Sequence, residues 1–208
     1  MPKRPPARIR AFLLAPLLLL IAAAPARAQT AALWFAPHGK TPPQSAALTV
    51  LDAGSSRAGN FKVDVMYGDD AAAVRALLFE LHMDSAKLEL RGVENVAPAY
   101  FSADTNPASL AQTAYADYHS LIGGRVPDDG DDATDSLIYP GWGALRGGIF
   151  DSATLTSPQR LLTLNLRWKP GAVGRAKLNF TTDAGGLDLP DIRDYTLTSL
   201  TVQGPAAD

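Results

Sequence analysis

The sequence predicts a mainly-β fold: two antiparallel sheets stacked as a β-sandwich, with one short inserted helix. Three observations predict it. Apolar residues alternate with polar ones at period two through several stretches. Glycine and proline, 17 and 16 of 208 residues, separate those stretches and supply turns. A strand with one apolar and one polar face fits an antiparallel sheet with one wet side, and two such sheets can bury their apolar faces against each other.

In chain order the first element is a leader. Lys3, Arg4, Arg8 and Arg10 open the chain, and Ala11 to Ala24 form an apolar run. Ala26-Arg27-Ala28 then offers small residues where a signal peptidase reads them. The run would rise about 21 Å as a helix, short of a hydrocarbon core about 30 Å thick. Residues 1–28 are therefore expected to be a signal peptide, and residues 29–208 a single exported domain, secreted to the periplasm or beyond the cell. The leader holds five of the 19 basic residues and no acid, which leaves 14 against 21 and a net charge of −7. Such an acidic domain is a poor nucleic-acid binder. The chain has no cysteine, so disulfides, thiolate metal sites and a Cys nucleophile are excluded.

The strands follow. Trp34-Phe35, Leu48 and Val50 are weak candidates. Phe61, Val63, Val65 and Tyr67 alternate with Lys62, Asp64 and Met66, and a turn is expected at Gly68-Asp69-Asp70. Residues 70–90 read two ways. Val74, Leu77, Leu78 and Leu81 fit a helix capped by Asp70. Leu77, Phe79, Leu81 and Met83 also fit a strand, with Leu78, Glu80 and His82 on its wet face. The inserted helix is expected over residues 106–122, capped by Asn106 with Pro107 at its first position. Leu110, Ala114, Tyr118 and Leu121 would share one face of it. Later strands carry Leu162, Leu164, Leu166 and Trp168, then Ala176, Leu178 and Phe180, with turns at Pro170-Gly171 and over 183–186. Tyr195 and Leu197 share one phase while Leu200 and Val202 share the other, which implies a bulge or a break between them. Trp34 and Trp168 are expected in the core.

Two stretches resemble a known family. The first is Val74-Arg75-Ala76-Leu77-Leu78-Phe79-Glu80-Leu81-His82-Met83-Asp84, continuing through Leu88, Leu90 and Val93. It is similar to the signature of cohesin domains, in which an alternating strand runs into an acidic turn. The second is Leu161-Leu162-Thr163-Leu164-Asn165-Leu166-Arg167-Trp168-Lys169-Pro170-Gly171-Ala172-Val173-Gly174, similar to the later Leu-x-Thr-Leu stretch of that family. Ala76 stands where the family often has Gly, and Met83 where an aromatic is usual. The resemblance spans residues 60–180. It implies a jelly-roll sandwich, turns the reading of residues 70–90 toward strand, and implies a non-catalytic module that binds a dockerin-like protein partner or a polysaccharide. Asp84 is expected to accept backbone hydrogen bonds in the following turn.

Candidate chemistry is sparse. Asp128, Asp129, Asp131, Asp132 and Asp135 place five carboxylates within eight residues, around Gly130. Hard oxygen ligands around a glycine turn suit Ca²⁺, with Asp128, Asp129, Asp131 and Asp135 as the expected ligands, although the closing Glu of an EF-hand loop is missing. Tyr139 and Trp142, on the Tyr139-Pro140-Gly141-Trp142-Gly143 turn, could stack against a sugar ring. Glutamate occurs only at 80, 89 and 94, no Gly-x-Ser-x-Gly elbow is present, and His38, His82 and His119 show no metal spacing. The expectation is therefore no enzyme. The rival to a carbohydrate or dockerin-type binder is an extracellular or periplasmic structural or adhesion module with a weak calcium site and no glycan ligand.

Overall fold

The computed structural model describes residues 30–54, 59–69, 76–97, 113–114, 129–138, 140–146, 149–151, 157–181 and 194–206. The strands are β1 (Thr30–Pro37), β2 (Val50–Asp52), β3 (Asn60–Asp69), β4 (Ala76–Leu78), β5 (Glu80–Met83), β6 (Leu88–Glu94), β7 (Thr113–Ala114), β8 (Ser136–Ile138), β9 (Gly141–Arg146), β10 (Ile149–Asp151), β11 (Gln159–Trp168), β12 (Arg175–Thr181), β13 (Asp194–Leu197) and β14 (Leu200–Gln203). A single 3-10 turn, Gln44–Ala46, follows β1 among the described residues.

The strands make a five-stranded sheet, β13-β1-β3-β11-β6, and a six-stranded sheet, β2-β14-β12-β5-β8-β7. A smaller ribbon, β10-β9-β4, joins three more. The apolar phase of each strand explains the stacking. Leu33 and Phe35 of β1, Val63, Val65 and Tyr67 of β3, and Leu162, Leu164 and Leu166 of β11 share one buried cluster with Leu81 and Met83 of β5, Leu178 and Phe180 of β12, and Leu200 and Val202 of β14. Phe35 lies stacked on Phe180, with ring centroids 4.5 Å apart, so the two sheets touch through aromatic faces. Phe79 meets the same Phe180 ring edge-on at 5.5 Å. Phe79 sits at the break between β4 and β5, where the chain passes from the ribbon into the six-stranded sheet.

Residues 76–83 are extended, as the strand reading has it. Of the first stretch that resembles cohesins, β4 joins the ribbon and β5 the six-stranded sheet, while β6 lies beside the second stretch at the edge of the five-stranded sheet, with Leu90 opposite Leu166 and Leu88 opposite Trp168.

The structure departs from the sequence reading in three places. The sheets are mixed, because β13 runs parallel to β1 and β2 parallel to β14. Gly68 and Asp69 belong to β3 rather than to a turn, since Ala31 and Ala32 of β1 continue the pairing to its end. The helix expected over 106–122 is contradicted at Thr113 and Ala114, which pair with Leu137 and Ser136, where an open sheet edge recruits them as strand. The rest of that stretch lies outside the described residues, as do the leader and the turn over 183–186. The phase slip near the end is the expected break, and it is a change of sheet, with β13 in one and β14 in the other, separated by Thr198 and Ser199. Register shifts fall in β11, between Arg160 and Leu162, where both Leu161 and Leu162 turn into the core, and between Asn165 and Leu166 in its pairing with β6.

Trp168 joins the main core, but Trp34 does not. Trp34 packs with Ala32, Ala36 and Met66 in a small separate cluster, with Ala47 against it. The residues of β1 and β3 that face away from the main core thus find a second apolar shelter. It forms where the chain after β1 folds back and the amide of Leu48 bonds to the Phe35 carbonyl at 2.8 Å.

Candidate functional site

The acidic loop is held by the six-stranded sheet. Asp129 accepts from the Thr134 hydroxyl at 2.7 Å, from its neighbour Asp131 amide at 3.2 Å, and from Asn179 Nδ2 of β12 at 2.9 Å. Asp131 accepts from the Ala133 amide at 3.1 Å and from Lys177 Nζ of β12 at 2.6 Å. Asp135 takes both the amide and the hydroxyl of Ser85, each at 2.7 Å. Two attachments thus go to β12 and one to the turn after β5. The Lys177 ammonium, followed by the Ala133 amide, holds the Asp131 carboxyl below the usual carboxylate range. In return the hydrogen bond to Asp131 raises Lys177. Asp132 is exposed.

Of the expected calcium ligands, Asp129, Asp131 and Asp135 are thus each engaged by protein donors, and Asp128 lies outside the described residues. Among the described residues no group of three or more His, Asp or Glu side chains converges as a metal site would. Of the two aromatics, Tyr139 lies outside the described residues. Trp142 is in β9, paired with Leu77 of β4, so its backbone is part of the ribbon rather than of a free turn.

Sequence reasoning missed the polar layer next to this loop. Glu80 and His82 were expected on a wet face, but they are 2% and 0% exposed. The Thr181 hydroxyl donates to Glu80 Oε2 at 3.0 Å and lies 2.9 Å from His82 Nε2. With the hydroxyl hydrogen given to the carboxylate, the imidazole Nε2 must be the donor in the second bond. His82 stands opposite Leu137 on one side and Asn179 on the other. Period-two alternation gives the side of a sheet, not whether distant chain covers it. Here β8 adds beside β5, and the preceding loop binds Asn179 of β12.

A second buried network sits on the outer side of the five-stranded sheet. Asp64 of β3 is fully buried. It accepts from the Thr163 hydroxyl at 2.6 Å, from His38 Nδ1 at 3.0 Å and from the Gly39 amide at 2.9 Å. Burial pushes its carboxyl up, but the hydrogen bonds from Thr163, His38 and Gly39 together outweigh that and hold it below its usual range. Asp64 thereby anchors the turn after β1, where Gly39 takes a φ of +77°. Nearby, Lys62 pairs with Glu94, and Glu89 lies between Arg91 and Arg167. Nothing in the sequence separates Asp64 from other polar positions in its strand.

Asp84 does serve a turn, by another route. Its main-chain carbonyl receives the amides of Lys87 and Leu88 at 3.3 and 2.9 Å, while its carboxylate binds the Lys87 ammonium at 2.7 Å. The expected backbone-to-carboxylate bond gives way to an ion pair three residues apart.

No family model matches the chain, and no curated protein matches it. Solved structures do. The third cohesin of ScaC from Acetivibrio cellulolyticus, solved in complex with the ScaB dockerin, is 13% identical, with 86% of this chain and 99% of that chain covered and a TM-score of 0.41. A complex of a CaDoc0917 variant with CaCohA2, crystallised at pH 5.5, offers a chain 11% identical, with 85% and 99% covered and a TM-score of 0.42. The chain is similar to these structures at the level of a β fold, and that likeness assigns it neither a family nor a ligand.

Proposed function

We propose that this chain is a non-catalytic recognition module that docks a partner protein, of dockerin type, through the 129–135 loop held against its six-stranded sheet. The observation that carries the reading is the bracing of the 129–135 loop. Lys177, Asn179 and Ser85 tie three of its carboxylates to β12 and to the turn after β5. A surface fixed in this way loses little conformational freedom when a partner binds. Asp129, Asp131, Asp132 and Asp135 outnumber Lys177, so the partner's complementary face is basic. The resemblance to cohesins in residues 74–93 and 161–174 supports the same reading.

The test is calorimetric titration of the chain with a panel of isolated dockerin modules at low and high salt. Saturable binding is expected with at least one, weakened by salt. An Asp132→Lys change should weaken it about tenfold, because an exposed like charge is placed in the encounter surface. Binding that ignores both salt and D132K would remove the loop from the interface. Retention on a polysaccharide gel without any dockerin binding would replace the reading with a carbohydrate-binding one.

A further inference from the structure

We propose that residues 38–47 form a strap that lifts off the outer side of the five-stranded sheet as a unit, with Arg160 taking the place of the strap on Asp64. Closed, the strap is held at few points. Asp64 accepts from His38 Nδ1 on one oxygen at 3.0 Å and from the Gly39 amide on the other at 2.9 Å. At the far end Leu48 is fixed, because its amide bonds to the Phe35 carbonyl and its side chain packs on the main core.

Between these anchors the backbone bonds run from Lys40 to Pro37, Ala46 to Pro43 and Ala47 to Gln44, so among the described residues none reaches β3 or β11. Ala47 rests against the small cluster of Trp34, Ala36 and Met66. Residues 37–41, Pro43, Ser45 and Ala46 are exposed. A segment with so few buried contacts opens at a free energy well below that of the whole fold.

Two features of the closed state favour release. Trp34 is 1% exposed, and its Nε1 is buried with no hydrogen-bond partner among the described residues. A buried N–H without an acceptor is unfavourable, and water that enters as Ala47 leaves relieves it. The second feature is Arg160 of β11. Its Nη1 lies 3.7 Å from Asp64 Oδ2, the oxygen that the Gly39 amide holds, which is too long for a hydrogen bond. Its side chain is half-buried and has no other acidic partner among the described residues. When Gly39 departs, this guanidinium closes on the freed oxygen, while Thr163 keeps its hydroxyl on the other. The buried carboxylate is never left uncompensated, which would otherwise make release prohibitive. Asp64 is thus satisfied in two discrete arrangements, one with the strap closed and one with it open.

The experiment is native-state hydrogen exchange on the full chain by NMR, with trypsin cleavage after Lys40 as a second readout. The Gly39 amide and the Trp34 indole N–H are expected to exchange together, far ahead of the amides of β11. His38→Ala removes one tie from an exposed position. It should lower the protection of both protons, and speed the cut after Lys40, about tenfold, with the β11 amides unchanged. Arg160→Gln removes the group that replaces the strap, so it should raise the protection of both protons about threefold. Exchange of the indole at the rate of the β11 amides, an unchanged H38A, or equal or faster exchange in R160Q would each overturn the proposal. The strap shares no residue with the 129–135 loop, so dockerin binding is expected to be equal in H38A and wild type, and the two readings fail separately.

Discussion

Asp64 shows how one residue can be fixed by partners that are far away in sequence. Thr163 is nearly a hundred positions on, yet its hydroxyl is 2.6 Å from the carboxylate. A Thr163→Val change keeps the shape, leaves that carboxylate oxygen with His38 alone and removes the acceptor of the Asn95 amide, at an expected cost of about 1–3 kcal/mol in urea unfolding. The pH dependence has a definite sign. A carboxyl held below its ordinary value of 3.8 stabilises the fold above that value and loses the contribution as pH falls through the lower folded value. T163V should therefore unfold at a higher pH than wild type when acid titration is followed by circular dichroism. An unchanged acid midpoint would show that Thr163 does not hold the charge. Asp131, held down by Lys177, acts in the same direction. The pairing of Thr163 with Asp64 was not legible in the sequence, because alternation gives each residue its side of the sheet and leaves its partner unnamed.

At the scale of elements, the alternating runs were the most legible. Val63, Val65 and Tyr67 face the core as their period required, as do Leu77, Phe79, Leu81 and Met83. The resemblance settled what periodicity left open there, and residues 76–83 are strand. Less legible were elements made by pairing rather than by composition. Thr113 and Ala114 become strand because β8 offers an edge, and β13 and β14 separate because each finds a different sheet. The loop was visible as acidic, but its donors Lys177, Asn179 and Ser85 are scattered across β12 and the turn after β5. The junction of the two sheets depends on Phe180, which touches Phe35 and Phe79 at once. Phe180→Ala should cost about 3–5 kcal/mol, from lost burial and the cavity left behind, measured by the shift in urea midpoint. A cost below about 1 kcal/mol would mean that the sheets close without this contact.

For the molecule as a whole, the acidic loop keeps its net charge while three of its carboxylates are hydrogen-bonded from within. Calcium would have to displace Lys177, Asn179, Thr134 or Ser85 from carboxylates they already hold. A thermal melt with millimolar calcium, and with EDTA as control, is expected to give the same midpoint in both. A rise that EDTA reverses would place the ion in the loop after all.

The two parallel pairings carry a consequence for the order of events. Each joins the beginning of the described chain to its end: Thr30 meets Asp194, and Val50 meets Thr201. Neither seam can close until β13 and β14 have left the ribosome, and contacts that bridge such long separations form slowly. Until then β1 keeps one edge unpaired while the other is held by β3, and the segment of β13 and β14 acts as the clasp that shuts both layers.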